Sequence, residues 1–455
     1  MGAVVGDAQL TSLHFVSLCL TLPKANAKKI IFATIGSLGD VHPYIALSQE
    51  LKRRGHAPTI ATSDYHRQTI EQAGITFAPM SPNTAQMGDL GEVVKKLFHP
   101  IKGPEYLTRE IVMPYVRAAY GELDRISGDA DLLVSHPLSF AVRLVAEKRG
   151  LPWRSTILAP LSLMSAIDPP LFPPAAFLLG IRKLGVAPYR AVFGLAKRYA
   201  GRWEAPLHQL RADLGLPPMG CYAQFEGQYA PAGNLALFSR VLATPQADWP
   251  RNTTLCGFSR FDGGVMAPEL QRELDAWLAA GPPPIVFTLG SSVSMAATTF
   301  FTQAVQCAAA LKHRALLITG QEPAQLNEAI AASGIQAGMI KVFRYLPYSA
   351  MFSRAAVNVH QGGVGTLAQA LAAGKPQLIT PVAFDQPDNA KRTVALGVAR
   401  TIPFQKLKVR AMTAALQDLL EGGNYVLCAA TVAKIIAEED HAAHAVDVLL
   451  AAAGE

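Results

Sequence analysis

The chain has 455 residues, 50% of them hydrophobic and 16% charged, with a formal net charge of +7. That composition excludes a disordered chain and suits two domains, each with a sizeable core. The positive balance fits an anionic ligand or an anionic membrane face, while the lack of an arginine-rich arm or nucleic-acid motif argues against DNA or RNA as a partner.

Residues 1–27 contain an apolar run, Leu10–Leu22, that is too short to span a membrane and has no Lys or Arg ahead of it. It is a poor signal peptide, and the segment is expected to be a loosely ordered extension. Cys19, Cys221, Cys256, Cys307 and Cys428 lack metal-ligand spacing and fit a reducing cytoplasm without disulfides. Lys28–Thr34 reads as a strand, Gly36–Asp40 as a turn, and Tyr44, Leu47 and Leu51 as one face of a helix that starts near Pro43 and ends at Gly55. Thr59–Thr62 is the next strand. This Rossmann-like opening puts Gly36–Asp40 at the carboxyl end of the first strand, where such sheets bind ligands. Asp40 is the carboxylate on that turn: a candidate base for a hydroxyl, or a cap for the helix.

Thr84–Arg125 is helical with breaks at Pro100, Pro104 and Pro114; Leu132–Ser135 is a strand running into His136, Phe140–Lys148 a helix, and Ser155–Leu158 a strand. The Pro-, Leu- and Phe-rich stretch 159–180 cannot be regular throughout, and reads as an apolar ligand lining or a core-covering loop. Arg182, Lys183, Arg190, Lys197, Arg198, Arg202 and Arg211, interleaved with apolar residues, read as a peripheral membrane face or a solvated amphipathic helix. Leu235–Phe238 closes the first half, and the Pro- and Gly-rich residues 243–268 suggest a linker.

Pro284–Gly290 repeats the strand-then-glycine device, with Ser291 and Ser292 capping the next segment. Ala315–Thr319 and Ile340–Pro347 read as strand-bearing segments, the second carrying Tyr345, which can stack a base. The densest stretch is 355–390. Val357–Val359 is a buried strand ended by His360. Gly362, Gly363 and Gly365 form a turn, Thr366 opens a helix that Gly374 closes, and Gln377–Thr380 leads to Asp385 and Gln386. A glycine turn lets backbone N–H groups approach an anion without Cβ interference, and the helix N-terminus adds roughly half a positive charge. His360 offers a further donor, and Asp385 with Gln386 offers acceptors and donors for sugar hydroxyls. Asn389–Leu396, Val409–Leu420 and Tyr425–Leu450 complete the helices.

The run from His360 through the glycine turn, Gly374-Lys375-Pro376, Pro381 and Asp385-Gln386 resembles the nucleotide-sugar signature of family 1 glycosyltransferases. Its form, HQGGVGT followed by DQPDNA, is most similar to the bacterial branch of rhamnolipid rhamnosyltransferases, sterol glucosyltransferases and antibiotic glycosyltransferases. The resemblance implies an α/β GT-B fold, two Rossmann-like domains facing across a cleft. The expected boundaries are 28–242 for the acceptor domain, 243–268 for the linker and 269–430 for the donor domain, with 431–455 crossing back to the first. It implies Asp40 as the base, and donor contacts from Gly39, Gly290, Ser291, Ser292, Tyr345, His360, Gly362, Gly363, Val364, Gly365, Thr366, Asp385 and Gln386. The plant relatives' second carboxylate has no counterpart after Leu132–Ser135, which leaves Asp40 alone or with His136 or His42.

The reaction implied is inverting transfer of a hexose or 6-deoxyhexose from a nucleoside diphosphate sugar to a hydroxyl of an apolar acceptor. No cofactor or metal is expected, since no DxD cluster appears and backbone amides with His360 would hold the leaving diphosphate. The rivals are a nucleotide-sugar epimerase of the same fold and a non-catalytic accessory protein. The apolar stretch 159–180 argues against the first, and the presence of both Asp40 and His360 against the second.

Overall fold

A computed structural model describes residues 27–454 except 262, 265, 291–296, 321–323 and 440. Residues 1–26 of the expected extension, and Ser291 and Ser292, lie outside the described residues.

Short, almost continuously apolar runs make strands that are buried on both faces, as parallel sheets require. The first sheet joins β1 (Lys29–Ala33), β2 (Ala57–Thr62), β3 (Thr76–Pro79), β4 (Leu132–Ser135), β5 (Trp153–Ile157), β6 (Asn234–Ala236) and β7 (Thr253–Leu255) in the order 3-2-1-4-5-6-7. The second joins β8 (Ile285–Thr288), β9 (Ala315–Ile318), β10 (Ile340–Phe343), β11 (Val357–His360), β12 (Gln377–Ile379) and β13 (Ala399–Thr401) in the order 10-9-8-11-12-13. Every strand pairing is parallel. Alternation along β1 feeds two layers. Ile30 and Phe32 pack with Tyr44, Leu47 and Leu51, while Ile31 and Ala33 pack with Ala141 and Val145.

Helices α1 (Leu38–Arg53), α3 (Val364–Ala372), α4 (Gln386–Ala395) and α5 (His441–Ala452) frame the site, and α2 (Val186–Ala200) carries the basic stretch. One apolar cluster is continuous across the two halves, with Ile157, Ala236, Phe238 and Phe258 of the first meeting Leu367, Leu371, Ile379 and Ile436. The chain end returns to the first half, where Ala445, Val446 and Leu449 of α5 join Tyr44, Leu47 and Leu51 of α1. Arg54 fixes this helix by an ion pair to Asp447 and a 3.2 Å bond to the Ala443 carbonyl.

Several expectations need correction. The residues 243–268 read as a linker carry β7, an edge strand of β-branched Thr253 and Thr254 hidden between Pro- and Gly-rich flanks. The single helix expected over Tyr425–Leu450 is two, Gly423–Ala437 and α5. The break falls at consecutive acids, where the Glu439 carboxylate turns to accept bonds from Ser239 Oγ and the Arg240 amide at 2.8 and 3.0 Å. Helix α1 starts at Leu38, ahead of Pro43, and α3 at Val364, ahead of Thr366.

Candidate functional site

In both sheets the strand order reverses, between β1 and β4 in the first and between β8 and β11 in the second, and a crevice opens beyond the strand ends at such a point. Asp40 follows β1 and His136 follows β4. Gly290 follows β8 and the Gly362–Gly365 turn follows β11. The two crevices meet at their glycines: a Cβ placed on Gly365 would lie 3.3 Å from the Gly39 Cα. Both candidate sites therefore open on one gap.

Asp40 is fixed from three sides. Ser37 is the N-cap of α1, and Asp40, three residues on, completes a capping box, its Oδ2 accepting the Ser37 amide at 2.7 Å and the Ser37 hydroxyl at 3.0 Å. Its other oxygen lies 3.4 Å from His136 Nε2. His136 Nδ1 accepts the Leu138 amide at 3.2 Å, which leaves the neutral-ring proton on Nε2, aimed at Asp40. Burial works against charge on Asp40, but bonding and charge interaction with His136, together with the Ser37 bonds, outweigh it and hold the carboxyl below its usual range. The side chain keeps 31% of its surface exposed, so it can still meet a ligand. Capping and crevice-facing roles, alternatives on the sequence, are held by different oxygens of one carboxylate. Gly36 makes this possible: its φ is +143°, and a Cβ there would come 2.3 Å from Asp40 Oδ2. Of the two partner histidines expected, His136 is the one at the carboxylate; His42 packs edge-on to Phe261 at 5.1 Å.

His360 stands differently from its expected role as an anion donor. It is fully buried; Nδ1 accepts the Gly362 amide at 3.1 Å and Nε2 donates to Gln377 Oε1 at 2.9 Å. Burial pushes its pKa down to about 4, so the ring is neutral. With both nitrogens engaged, His360 holds the turn rather than offering a free donor to a ligand.

That turn is shaped by crowding. Gly362 has φ +87°, and a Cβ on it would meet Ile379 Cγ2 at 2.7 Å. Gly363 is the N-cap of α3, Val364 its first residue, and Thr366 is buried within it. The Val364 amide is taken by Asp385 Oδ2 at 3.2 Å, an oxygen that also accepts from Asn389 Nδ2 at 2.7 Å. Asp385 therefore sits at the positive end of α3, where an anionic ligand would approach. Burial, with the Asp40 charge facing it, pushes its carboxyl up to about 7. Gln386 is not a sugar-facing acceptor here: its Oε1 is turned inward onto the Val382 amide at 2.9 Å. Gly290, with φ +66°, packs against the Gln361 amide, and a Cβ there would lie 2.3 Å from Gln361 Nε2. Tyr345 is 53% exposed beyond β10, with its hydroxyl against Gly263.

Sequence reading missed three supports. Asn389 donates to the Gly362 carbonyl at 3.0 Å, Gln377 pins His360, and buried His66 bonds the Gly36 carbonyl at 2.9 Å. Asn389 lies in the DQPDNA run, one helical turn from Asp385, and that spacing was its signal. Gln377 reaches the site from β12 and His66 from the helical turn Asp64–His66 after β2, and neither left one. Charges of the basic stretch around α2 are largely answered within the fold. Arg182 bonds the Ala166 carbonyl, Arg190 faces Asp248, Lys197 pairs with Glu226, and Arg211 pairs with Glu147. Among the described residues no single helix is long and apolar enough to cross a membrane, although the bent pair Val409–Glu421 and Gly423–Ala452 meets that test together. No group of three or more His, Cys, Asp or Glu among the described residues is placed to hold a metal ion.

Residues 30–163 match the glycosyltransferase family 28 N-terminal domain, and residues 322–451 match the C-terminal domain described as erythromycin biosynthesis protein CIII-like. The chain is 29% identical over 422 residues to O-mycaminosyltylonolide 6-deoxyallosyltransferase of Streptomyces fradiae, covering 90% of this chain and 94% of that one. Its fold is similar to that of CalG4, the calicheamicin glycosyltransferase, with a TM-score of 0.69 at 18% identity, over 95% of this chain and 99% of that one. It is also similar to glycosyltransferase VinC, solved in complex with dTDP, with a TM-score of 0.64 at 18% identity, over 93% and 99% of the two chains. With an N-terminal and a C-terminal family model in order along two facing parallel sheets, and a relative matched over nearly its whole length, the chain belongs to the GT-B, family 1 type glycosyltransferases and is an enzyme of sugar transfer.

Proposed function

We propose that this enzyme transfers a 6-deoxyhexose or hexose from a nucleoside diphosphate sugar, a thymidine diphosphate sugar before a uridine one, to a hydroxyl of an apolar natural product, with inversion and without a metal. The observation that carries this reading is the Asp40 carboxylate, held 3.4 Å from His136 and facing Asp385 and the N-terminus of α3 across the gap. The relative acting as a 6-deoxyallosyltransferase supports a 6-deoxyhexose, and the dTDP bound to VinC supports the nucleotide.

In this reading the diphosphate lies on the α3 N-terminus and the Gly362–Thr366 turn, which stabilise the charge that builds on it as it leaves. Tyr345 stacks the pyrimidine. Asp385, freed in part from the Val364 amide, meets the sugar. The acceptor hydroxyl enters from the α1 side. Asp40 takes its proton as the new C–O bond forms and the anomeric C–O bond to phosphate breaks. His136, proton on Nε2, keeps the carboxylate ionised and oriented. A single base facing a held leaving group suits one in-line displacement. The first half, which runs from residue 28 through β7, is the acceptor domain, residues 269–430 are the donor domain, and 159–180 lines the acceptor side.

Positioned general bases contribute about 10² to 10⁴ in rate. Asp40→Asn is expected to lower transfer from a thymidine diphosphate sugar to a panel of polyketide and phenolic alcohols by about that factor. Thermal protection by thymidine diphosphate, read well below pH 7 where Asp385 is protonated with either residue, should stay nearly unchanged. An Asn variant that transfers at the wild-type rate removes Asp40 from the chemistry.

A further inference from the structure

The stretch 159–180 and helix α4 are far apart in sequence, yet one set of charges, buried at Asp388 and Arg392 and half-exposed at Asp168, binds them. Arg392, near the end of α4, donates through Nε to Asp388 at 2.8 Å and through one terminal nitrogen to Asp168 at 2.6 Å and to the Leu242 carbonyl at 3.1 Å. Asp388 is fully buried, and its second oxygen accepts the Leu171 amide at 2.8 Å. Asp388 lies in the first turn of its own helix but spends its bonds on the opposite loop and on Arg392. Lys391 adds a contact to the Pro169 carbonyl at 3.5 Å.

The same helical turn serves the donor side. Asp385, at the N-terminal edge of α4, bonds the Val364 amide, and Asn389 bonds the Gly362 carbonyl. One face of residues 385–392 thus grips the glycine turn, and the other grips residues 168–171. A buried ion set contributes little stability over an apolar contact of the same size, because desolvation offsets the attraction; what it supplies is register. Here the register is between a donor-side helix and the loop read as the acceptor lining.

We propose that Asp388 and Arg392 are positioning residues that clamp residues 168–171 to α4, at the end of the 165–171 loop whose first amides are held by Asp248, so that filling the nucleotide site orders the acceptor side. The proposal rests on the donor reading of the α3 turn given above. Linkage makes the effect reciprocal: an acceptor ordered by the loop tightens nucleotide binding by the same factor.

Hydrogen exchange of the full-length protein, with and without thymidine diphosphate, tests this. In the wild type the nucleotide is expected to slow exchange both in the 360–366 turn and in 165–171. Asp168→Asn leaves the buried Arg392–Asp388 pair intact, and Arg392→Lys keeps the charge but loses the fork that reaches both carboxylates. In each, nucleotide-induced slowing should persist at 360–366 and fall at 165–171, by at least tenfold in Arg392→Lys and by less in Asp168→Asn, which keeps the bond from the Leu171 amide to Asp388. Slowing at 360–366 alone in the wild type, or undiminished slowing at 165–171 in both variants, overturns the clamp and leaves the donor site standing. Slowing at neither place overturns the donor reading and the clamp with it.

Discussion

At the scale of single residues, two carboxylates face one gap with opposite tuning. His136 and Ser37 hold Asp40 below its usual range, whereas burial and the Asp40 charge push Asp385 up to about 7. Asp385 is thus protonated in the folded protein well above the pH at which an unfolded chain would ionise it. Its contribution to stability is full below about 3.9 and is lost as pH rises through about 7. A diphosphate arriving at the α3 N-terminus adds negative charge beside it and favours the protonated form. Affinity for thymidine diphosphate is therefore expected to weaken as pH rises through 7, by up to about tenfold per unit, with net proton uptake on binding. Calorimetry in buffers of different ionisation enthalpy between pH 6 and 8 reads both. Asp385→Asn should flatten the dependence, and an unchanged slope would place the titrating group elsewhere.

At the scale of an element, the β11–turn–α3 unit shows what a motif conveys and what it conceals. Its strand, its glycines and its helix stop at Gly374 are written in local residue types, because periodicity, missing side chains and backbone freedom are local properties. Side-chain direction is not. His360 closes the strand as the motif suggests, but its ring is turned inward by Gln377, a residue of the neighbouring strand that no spacing along the chain relates to it. Gln386 likewise turns onto its own loop. The edge strand β7 was illegible for a similar reason: three residues paired to β6 supply too short a pattern against Pro and Gly neighbours. Since His360 braces the turn, His360→Ala leaves the Gly362 amide and Gln377 buried without their partner. The expected loss is about 2 to 5 kcal/mol of stability, read by urea denaturation without nucleotide. Intact stability with weakened nucleotide binding would return His360 to the ligand.

At the scale of the whole molecule, the two halves are tied by their cores and by the chain's end. The repeat of strand, glycine turn and helix made both Rossmann-like sheets legible. The order of the strands and the pairing of Asp40 with His136 needed the fold, since they join segments almost a hundred residues apart. Helix α5 buries Ala445, Val446 and Leu449 against α1, the helix that carries Asp40. Leu449→Ala should cost about 2 to 5 kcal/mol. Because it loosens the first half from outside, it should lower the unfolding midpoint of the α1 region without changing the affinity for thymidine diphosphate. Limited proteolysis with and without nucleotide distinguishes the two effects.

The contact of Gly39 with Gly365 carries a mechanical consequence. The two backbones approach so closely that a Cβ on Gly365 would lie 3.3 Å from the Gly39 Cα, and neither residue has a side chain to put between them. The halves have little room to draw nearer at that spot, so any breathing of the molecule is expected to swing about it as jaws swing on a rivet. Widest travel then falls to the rim of the gap, and least to the glycines beside Asp40 and the α3 N-terminus.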